Sequence, residues 1–401
     1  MSREIGLKLT ISFAIVVALG PAAIDMYLAS MPQMALDFDV SYASTQLTLT
    51  VFLTFMGLGQ LIFGPLSDAY GRRLPLLGGL FIYFAASVGA AAATSLELLI
   101  LARLIQGLGA AMAIVVVMSM VRDISSGPQA AQVYALLNTI VALGPIIAPA
   151  IGGVLGAVYG WQGVMLFLAG MALLVLINTL FNVPETLPTE QRNQFALKSI
   201  LATYINILRN KAFLLHLFAL SAVFFFLFGY IGGSAFVYQH QYGLSTEQFG
   251  MVFGLTSLSL IAGASSAAYW VKRIKVSSLA LVGAILMCAG GLMCLVSELL
   301  FFGLTGIVLS IGMALFGLGI LEATIMSMAM ETQDTALGST AALMGAAPMV
   351  IASIATPIAG SMVEISAMAW LVMLAVIAPT ILILVYLGTR VGSSTQHSQH
   401  V

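Results

Sequence analysis

Charge is what this chain has least of. Its 401 residues include 14 basic and 15 acidic side chains, 7% of the total, against 61% hydrophobic. Soluble domains carry about 25% charged residues. A water-facing surface cannot be built from so few, so a soluble globular protein is excluded and the chain must be dissolved in lipid. Cysteine is nearly absent. Cys288 and Cys294 lie six apart in one apolar run, on different faces of a helix, and are not expected to bridge. The four histidines show no metal-ligand spacing, and the net charge of −1 argues against a nucleic-acid partner. There is no ATP-binding loop and no Ser/His/Asp arrangement placed where water could support hydrolysis, so enzyme activity is not expected.

What the chain does have is long apolar runs. In lipid the backbone must satisfy its own hydrogen bonds, which leaves helices or a closed barrel. Barrel strands alternate with period two, whereas these runs are continuous for about twenty residues, the length of a membrane helix. Twelve spans are predicted at about 9–30, 45–66, 74–93, 97–121, 131–156, 162–183, 212–237, 247–270, 277–296, 300–327, 338–361 and 367–388. The first run follows Arg3 and Lys8 and continues through Asp25 and Tyr27 to Pro32, so it reads as a membrane helix and not as a removed signal segment. With the N-terminus in the cytoplasm, every Lys and Arg outside the spans, from Arg3 to Arg390, falls on a cytoplasmic segment. Only Arg103 lies inside a span.

The longest polar interval, 184–211, divides the chain six plus six. The expected organisation is an N-terminal bundle at 1–183, a cytoplasmic linker at 184–211, a C-terminal bundle at 212–390 and a cytoplasmic tail at 391–401. A shift of about 201 positions overlays Ser44-Thr45 on Ser245-Thr246 and Arg72 on Arg273, the mark of an internal duplication. The fold expected is an all-α membrane protein of twelve transmembrane helices in two pseudo-symmetric six-helix bundles.

Charge inside such a chain marks chemistry or topology. Gly64-Pro65-Leu66-Ser67-Asp68-Ala69-Tyr70-Gly71-Arg72-Arg73 packs an acid, two arginines and two glycines between two spans. Its arginines can serve as topology anchors, but that leaves Asp68 and the glycine spacing unexplained. Asp123, at the cytoplasmic end of span four, is a candidate partner for Arg72 or Arg73. Asp25 sits near the outer end of span one. An unpaired carboxylate there costs several kcal/mol, so it is neutral or partnered. A site that alternates between desolvation and a nearby cation would carry a proton; a permanent structural ion pair is the other reading. Arg103 cannot lose its proton. It lies roughly 9 Å into span four at 1.5 Å per residue, close to the depth of Asp25, and an Asp25–Arg103 interaction, direct or through water, is expected.

The sequence resembles the major facilitator superfamily. The resemblance rests on the twelve spans and on the turn just quoted, which fits Gly-x-Leu-x-Asp-x-x-Gly-Arg-Arg. Arg103-Leu104-Ile105-Gln106-Gly107 resembles the span-four motif of its drug/proton antiporters, and Gly144, Pro145, Pro149, Gly152 and Gly153 follow the span-five antiporter motif. Asp25-Met26-Tyr27-Leu28 with Pro32, and Val121-Arg122-Asp123, resemble the bicyclomycin/chloramphenicol-resistance (Bcr/CflA) subfamily.

That resemblance implies proton-coupled efflux of small apolar drugs, such as chloramphenicol, florfenicol or bicyclomycin, by alternating access. It implies a bacterial inner-membrane location, both termini cytoplasmic, no cofactor beyond the proton gradient, and a monomer working with drug, protons and the bilayer. Gly64, Asp68, Gly71, Arg72, Arg73 and Asp123 would form a cytoplasmic gate. The span-five motif would bend to seal against leaks, or is an ordinary kinked helix. Cavity candidates are Tyr27, Gln46, Gln60, Asn138, Phe224, Phe228, Tyr230, Tyr238 and Glu322; Glu322 would bind substrate, shuttle a proton, or sit at the water boundary. The rival functions are a proton symporter of a small metabolite and a non-transporting membrane sensor.

Overall fold

The structure is a computed structural model that describes residues 6–125, 127–192, 196–333 and 336–398. Arg3, counted above among the cytoplasmic charges, lies outside them. Among the described residues all regular structure is helical. The helices are α1 (Leu7–Asp25), α2 (Met31–Asp37), α3 (Tyr42–Tyr70), α4 (Arg73–Ala91), α5 (Leu96–Ile124), α6 (Gly127–Asn182) and α7 (Leu197–Leu208). There follow α8 (Lys211–Phe236), α9 (Thr246–Trp270), α10 (Val276–Leu299), α11 (Gly303–Met330), α12 (Leu337–Ser353), α13 (Ala355–Ile365) and α14 (Ala367–Ser398).

Eleven of the resulting segments are long and apolar enough to cross a membrane. The twelfth comes from α6, where Gly160 adopts φ 69° and ψ −178°, so that 127–159 and 161–182 are separate helices. Only glycine takes that conformation without strain. Two spans are interrupted. The first runs from Leu7 to Asp37 and is broken after Asp25, with a short 3-10 turn at Leu28–Ser30 before α2. It continues past Pro32, because proline in the first turn of a helix loses no hydrogen bond. Asp25 therefore sits at a break well inside the span, not near its end. The eleventh span is broken at Ile354, between α12 and α13.

The chain divides into two compact units. Unit 1 takes residues up to 41, 47–197 and 246–251; unit 2 takes 42–46, 198–245 and those from 252 onward. The N-terminal ends of α3 and α9 are thus counted apart from the rest of their helices. Within unit 2 the Tyr42 hydroxyl donates to Gly232 O at 3.0 Å. Within unit 1 Gly153 lies on Thr246 O, where a Cβ would come to 2.8 Å.

Both units are built by close approach of helices at small residues, the usual membrane solution where lipid offers no hydrophobic drive. In unit 1 α4 meets α5 where a Cβ on Gly109 would stand 2.7 Å from both Gly79 O and Tyr83 N. In unit 2 α10 meets α11 in the same manner, a Cβ on Gly317 standing 2.5 Å from Gly283 O and 2.6 Å from Met287 N. The offset between these pairs, 204 to 208 residues, repeats the duplication read from the sequence. The interval 184–211, expected as a polar linker, contains a helix of its own, α7.

Candidate functional site

Two sites are built from the polar side chains of unit 1. The first is the turn between α3 and α4. Arg72 is 2% exposed and is the centre of the network. Its Nε donates to Asp123 Oδ2 at 2.7 Å and its Nη2 to Asp123 Oδ1 at 3.3 Å. Nη2 also meets Asp68 Oδ1 at 2.6 Å, and Nη1 donates to the Ser67 hydroxyl at 2.6 Å. The planar guanidinium suits this role, since its five donors can serve two carboxylates and a hydroxyl at once. Asp68, Arg72 and Asp123 thus come together. Arg73 does not join them: its Nη2 donates to Leu180 O at 2.7 Å. Arg122, beside Asp123 in sequence, reaches Asp68 only at 3.9 Å and is well exposed.

Glu185, which the sequence did not single out, holds this turn from below. Its carboxylate accepts from the backbone N–H of Arg72 (2.9 Å), Arg73 (3.1 Å), Thr186 (2.9 Å) and Leu187 (3.0 Å). Burial opposes its ionisation, but the four N–H donors outweigh burial and hold the carboxyl below the usual carboxylate range. Two of those donors belong to the open first turn of α4, where a carboxylate is favoured. Gly71 makes the approach possible: its φ is +90°, and a Cβ there would stand 2.6 Å from Glu185 Oε2. The available signal was an acid directly after Pro184 at the end of a span, on the same face as Arg72 and Arg73. Thr186 adds a hydroxyl to Asp123 Oδ2 at 3.2 Å.

The second site lies around the break in α1. Arg103 is fully buried. It donates through Nη2 to Ala23 O at 2.8 Å and through Nη1 to Gln106 Oε1. Its guanidinium stacks on the rings of Tyr27 and Phe52, at 4.4 and 4.3 Å from their centroids. Gln106 passes the network on, donating to Ser87 Oγ at 2.8 Å, and Ser87 donates to Tyr83 O at 2.7 Å. The Tyr83 hydroxyl returns to α1 at Leu19 O, 3.0 Å away. The expected Asp25–Arg103 contact is not direct: no ion pair joins them among the described residues. Arg103 grips α1 at Ala23, two residues before Asp25, and stacks on Tyr27 in the break, two residues after it. Asp25 is 2% exposed, and its Oδ1 has no hydrogen-bond partner; neither has Arg103 Nε.

The span-five residues meet α1. Gly144 lies on Pro21 and Gly152 on the Met26 carbonyl, each so close that a side chain would collide. Pro145 and Pro149 sit inside the helical run of α6.

The cavity candidates scatter. Tyr27, Gln46, Phe228, Tyr230 and Tyr238 are buried in packed interior, so they expose no wall to a cavity in this conformation. Tyr230 stacks on Phe253 at 5.4 Å, and Tyr27 faces Thr48 at 3.4 Å between hydroxyl oxygens. Gln60 and Phe224 are half-buried, and Asn138 and Glu322 are exposed. Phe224 and Phe228 lie 6.4 Å apart on α8. Gln106, Ser87 and Thr48 were not foreseen as polar partners; Gln106 was marked by the span-four motif one helical turn after Arg103, Ser87 and Thr48 by nothing but their place in an apolar span.

A family model described as the Major Facilitator Superfamily matches residues 13–356. Over 356 residues the chain is 31% identical to the uncharacterized MFS-type transporter YdgK of Bacillus subtilis, covering 88% of this chain and 89% of that one. It is 25% identical over 352 residues to a bicyclomycin resistance protein homolog of Haemophilus influenzae, covering 88% of each. A solved structure of a bacterial homolog to the human lysosomal transporter Spinster, inward-facing and unoccupied, matches with TM-score 0.73 at 15% identity, over 95% of this chain and 96% of that one; this likeness concerns the fold. The family match runs from the first helix into α13, and the chain belongs to the Major Facilitator Superfamily of membrane transporters.

Proposed function

We propose that the protein exports small apolar drugs, of the phenicol or bicyclomycin kind, in exchange for protons, with Asp25 as the proton carrier. The observation that carries this reading is the pair of unpartnered polar atoms around the α1 break: Asp25 Oδ1 and Arg103 Nε, both buried. An ionised carboxylate with an unmet buried oxygen costs several kcal/mol, so this conformation suits the neutral, protonated acid. The cation needed to hold the ionised form sits on the same stretch of α1, fixed to Ala23 and Tyr27. A small shift of α1 against α5 would exchange one condition for the other. Protonation would thereby be tied to helix position, as alternating access requires.

The remaining parts follow. The chain works as two bundles, 1–183 and 212–390, joined by 184–211, with tail 391–401 and both termini in the cytoplasm of a bacterial inner membrane. It acts as a monomer, with the proton gradient as its only energy source and no cofactor. The Arg72 network locks the cytoplasmic end of unit 1, and Gly144, Pro145, Pro149, Gly152 and Gly153 form a bend that seals against leaks. Gln60, Asn138, Phe224 and Glu322 are the cavity residues with free surface here; Tyr27, Gln46, Phe228, Tyr230 and Tyr238 would join them on rearrangement.

The test is a resistance panel in a pump-deficient host. Wild type should protect against phenicols or bicyclomycin, while Asp25→Asn and Arg103→Ala should not. Partial recovery in the swapped pair Asp25→Arg with Arg103→Asp would support the coupling; full protection by Asp25→Asn would refute it.

A further inference from the structure

We infer that α7 and the cavity beside it form a site for an anionic phospholipid of the cytoplasmic leaflet. The inference goes beyond the transport reading and takes from it only the cytoplasmic placement of residues 184–211.

The argument begins with the helix. At 100° per residue, Leu201, Ile205 and Leu208 form one apolar stripe on α7. The neighbouring stripe, with Tyr204 (8% exposed) and Ile207 (3%), is packed into unit 2. Leu201 and Ile205 remain 50% and 52% exposed. Lys198 and Arg209, both exposed, fall at the edge of that bare stripe. An exposed apolar stripe bordered by basic residues is the pattern of a helix lying in the membrane interface. The charge decides the occupant, because anionic lipids of the inner leaflet attract such residues.

The cavity supplies the second observation. About 660 Å³ of open space lies next to α7, lined on its apolar side by alanine and isoleucine side chains and on its polar side by Ser199, Thr203, Asn206, Arg209 and Gln333. All five can donate hydrogen bonds. Gln333 Nε2 is buried and has no partner. The cavity is also held in shape: Asn210, at the α7–α8 joint, donates through Nδ2 to Thr332 O at 3.0 Å and caps α8 through Oδ1 at Ala212 N, 2.9 Å away. Glu331 is exposed and does not line it, and Asp334, next to Gln333 in sequence, lies outside the described residues. Donors, one guanidinium and an unmet amide suit a phosphate diester, and the adjoining Leu201–Ile205 stripe suits its acyl chains.

The experiment uses the full chain in a nonionic detergent, titrated with short-chain phosphatidylglycerol, with phosphatidylcholine of the same chain length, and with inorganic phosphate, while thermal unfolding is followed. Phosphatidylglycerol should raise the midpoint saturably and the other two should not. Removing both charges, Lys198→Gln with Arg209→Gln, should weaken the apparent affinity about 25-fold, roughly fivefold per charge. Gln333→Leu should weaken it without altering α7, which guards against misfolding of the double variant. Equal shifts from phosphatidylcholine would overturn the charge argument. Equal shifts from inorganic phosphate would make this a soluble-anion site and overturn the lipid. Unchanged affinity in both variants would remove the site from this place.

Discussion

Arg72→Ala should be the most damaging single change in the turn between α3 and α4, and the structure sets its size. Arg72 is 2% exposed and Asp123 12%, so their two hydrogen bonds form a desolvated pair. Removing one partner of such a pair costs about 3–5 kcal/mol, because the other charge is left buried. Asp123 would keep only the Thr186 hydroxyl at 3.2 Å among its described partners. Asp68 is different: it is 34% exposed, so its contact to Arg72 is screened and Asp68→Asn should cost no more than about 1 kcal/mol. Arg72→Lys retains the charge but cannot serve Asp123 twice, Asp68 and Ser67 together, and should cost about 2 kcal/mol. The expected order is therefore Ala, then Lys, then the Asp68 change. Equilibrium unfolding in mixed micelles can measure it through Trp161, which is 1% exposed in the same unit. A Lys variant as stable as wild type, or an Asp68→Asn variant as damaged as Arg72→Ala, would refute the hub assignment.

Three further outcomes follow from the same geometry. Gly71→Ala should destabilise the turn by roughly 1–3 kcal/mol, from its φ of +90° and the Glu185 oxygen beside it, whereas Gly78→Ala, with nothing within 4 Å, should be nearly neutral in the same unfolding assay. Gly152→Ala should cost about 1–3 kcal/mol by forcing α6 off the Met26 carbonyl, and Gly170→Ala, with open space, should not. Glu185 has a lowered folded-state pKa, so its contribution is present above the unfolded value of about 4.3 and is lost as pH falls through the lower folded value. Limited proteolysis at 184–196 should accelerate below about pH 4.3 in wild type, while Glu185→Gln should be cut rapidly at every pH; identical pH profiles would contradict the cap.

The parts legible in the sequence were those where charge stood against an apolar background. Asp68, Arg72 and Asp123 could be matched because each sits at a span end, and Asp123 is one of few acids at the span ends expected on that face. Glu185 was not matched: its place after Pro184 put it on the same face as Arg72, but its role depends on a linker turning back beneath α4 and on a glycine conformation that hydropathy does not register. Span number was readable from apolar runs. The break at Gly160 was anticipated by a gap in hydropathy, but the breaks after Asp25 and at Ile354 were not: a lone Asp25, or Ser353 and Thr356 beside Ile354, leaves the mean hydropathy of the run high enough to read as one continuous span. Depth in the membrane is one coordinate and helix rotation another: counting residues set Asp25 and Arg103 at similar levels, but only packing shows Arg103 turned to the Ala23 carbonyl and Gln106. The same limit explains the cavity candidates. A tyrosine in an apolar helix marks a polar partner as readily as an open wall, and Tyr27, Tyr230 and Tyr238 are packed. Helix α7 was hidden by the charges on either side of it, which made the interval read as a polar linker although its leucines and isoleucines repeat with helical spacing.

The claim that Asp25 carries the proton is tested most directly in proteoliposomes with a pH-sensitive dye inside. Chloramphenicol, florfenicol and bicyclomycin would be added in turn to vesicles holding a proton gradient. Wild type should dissipate the gradient in step with drug movement, and Asp25→Asn, folded and still able to bind drug, should exchange drug without moving protons. Proton movement at the wild-type rate and drug dependence in Asp25→Asn would contradict the account.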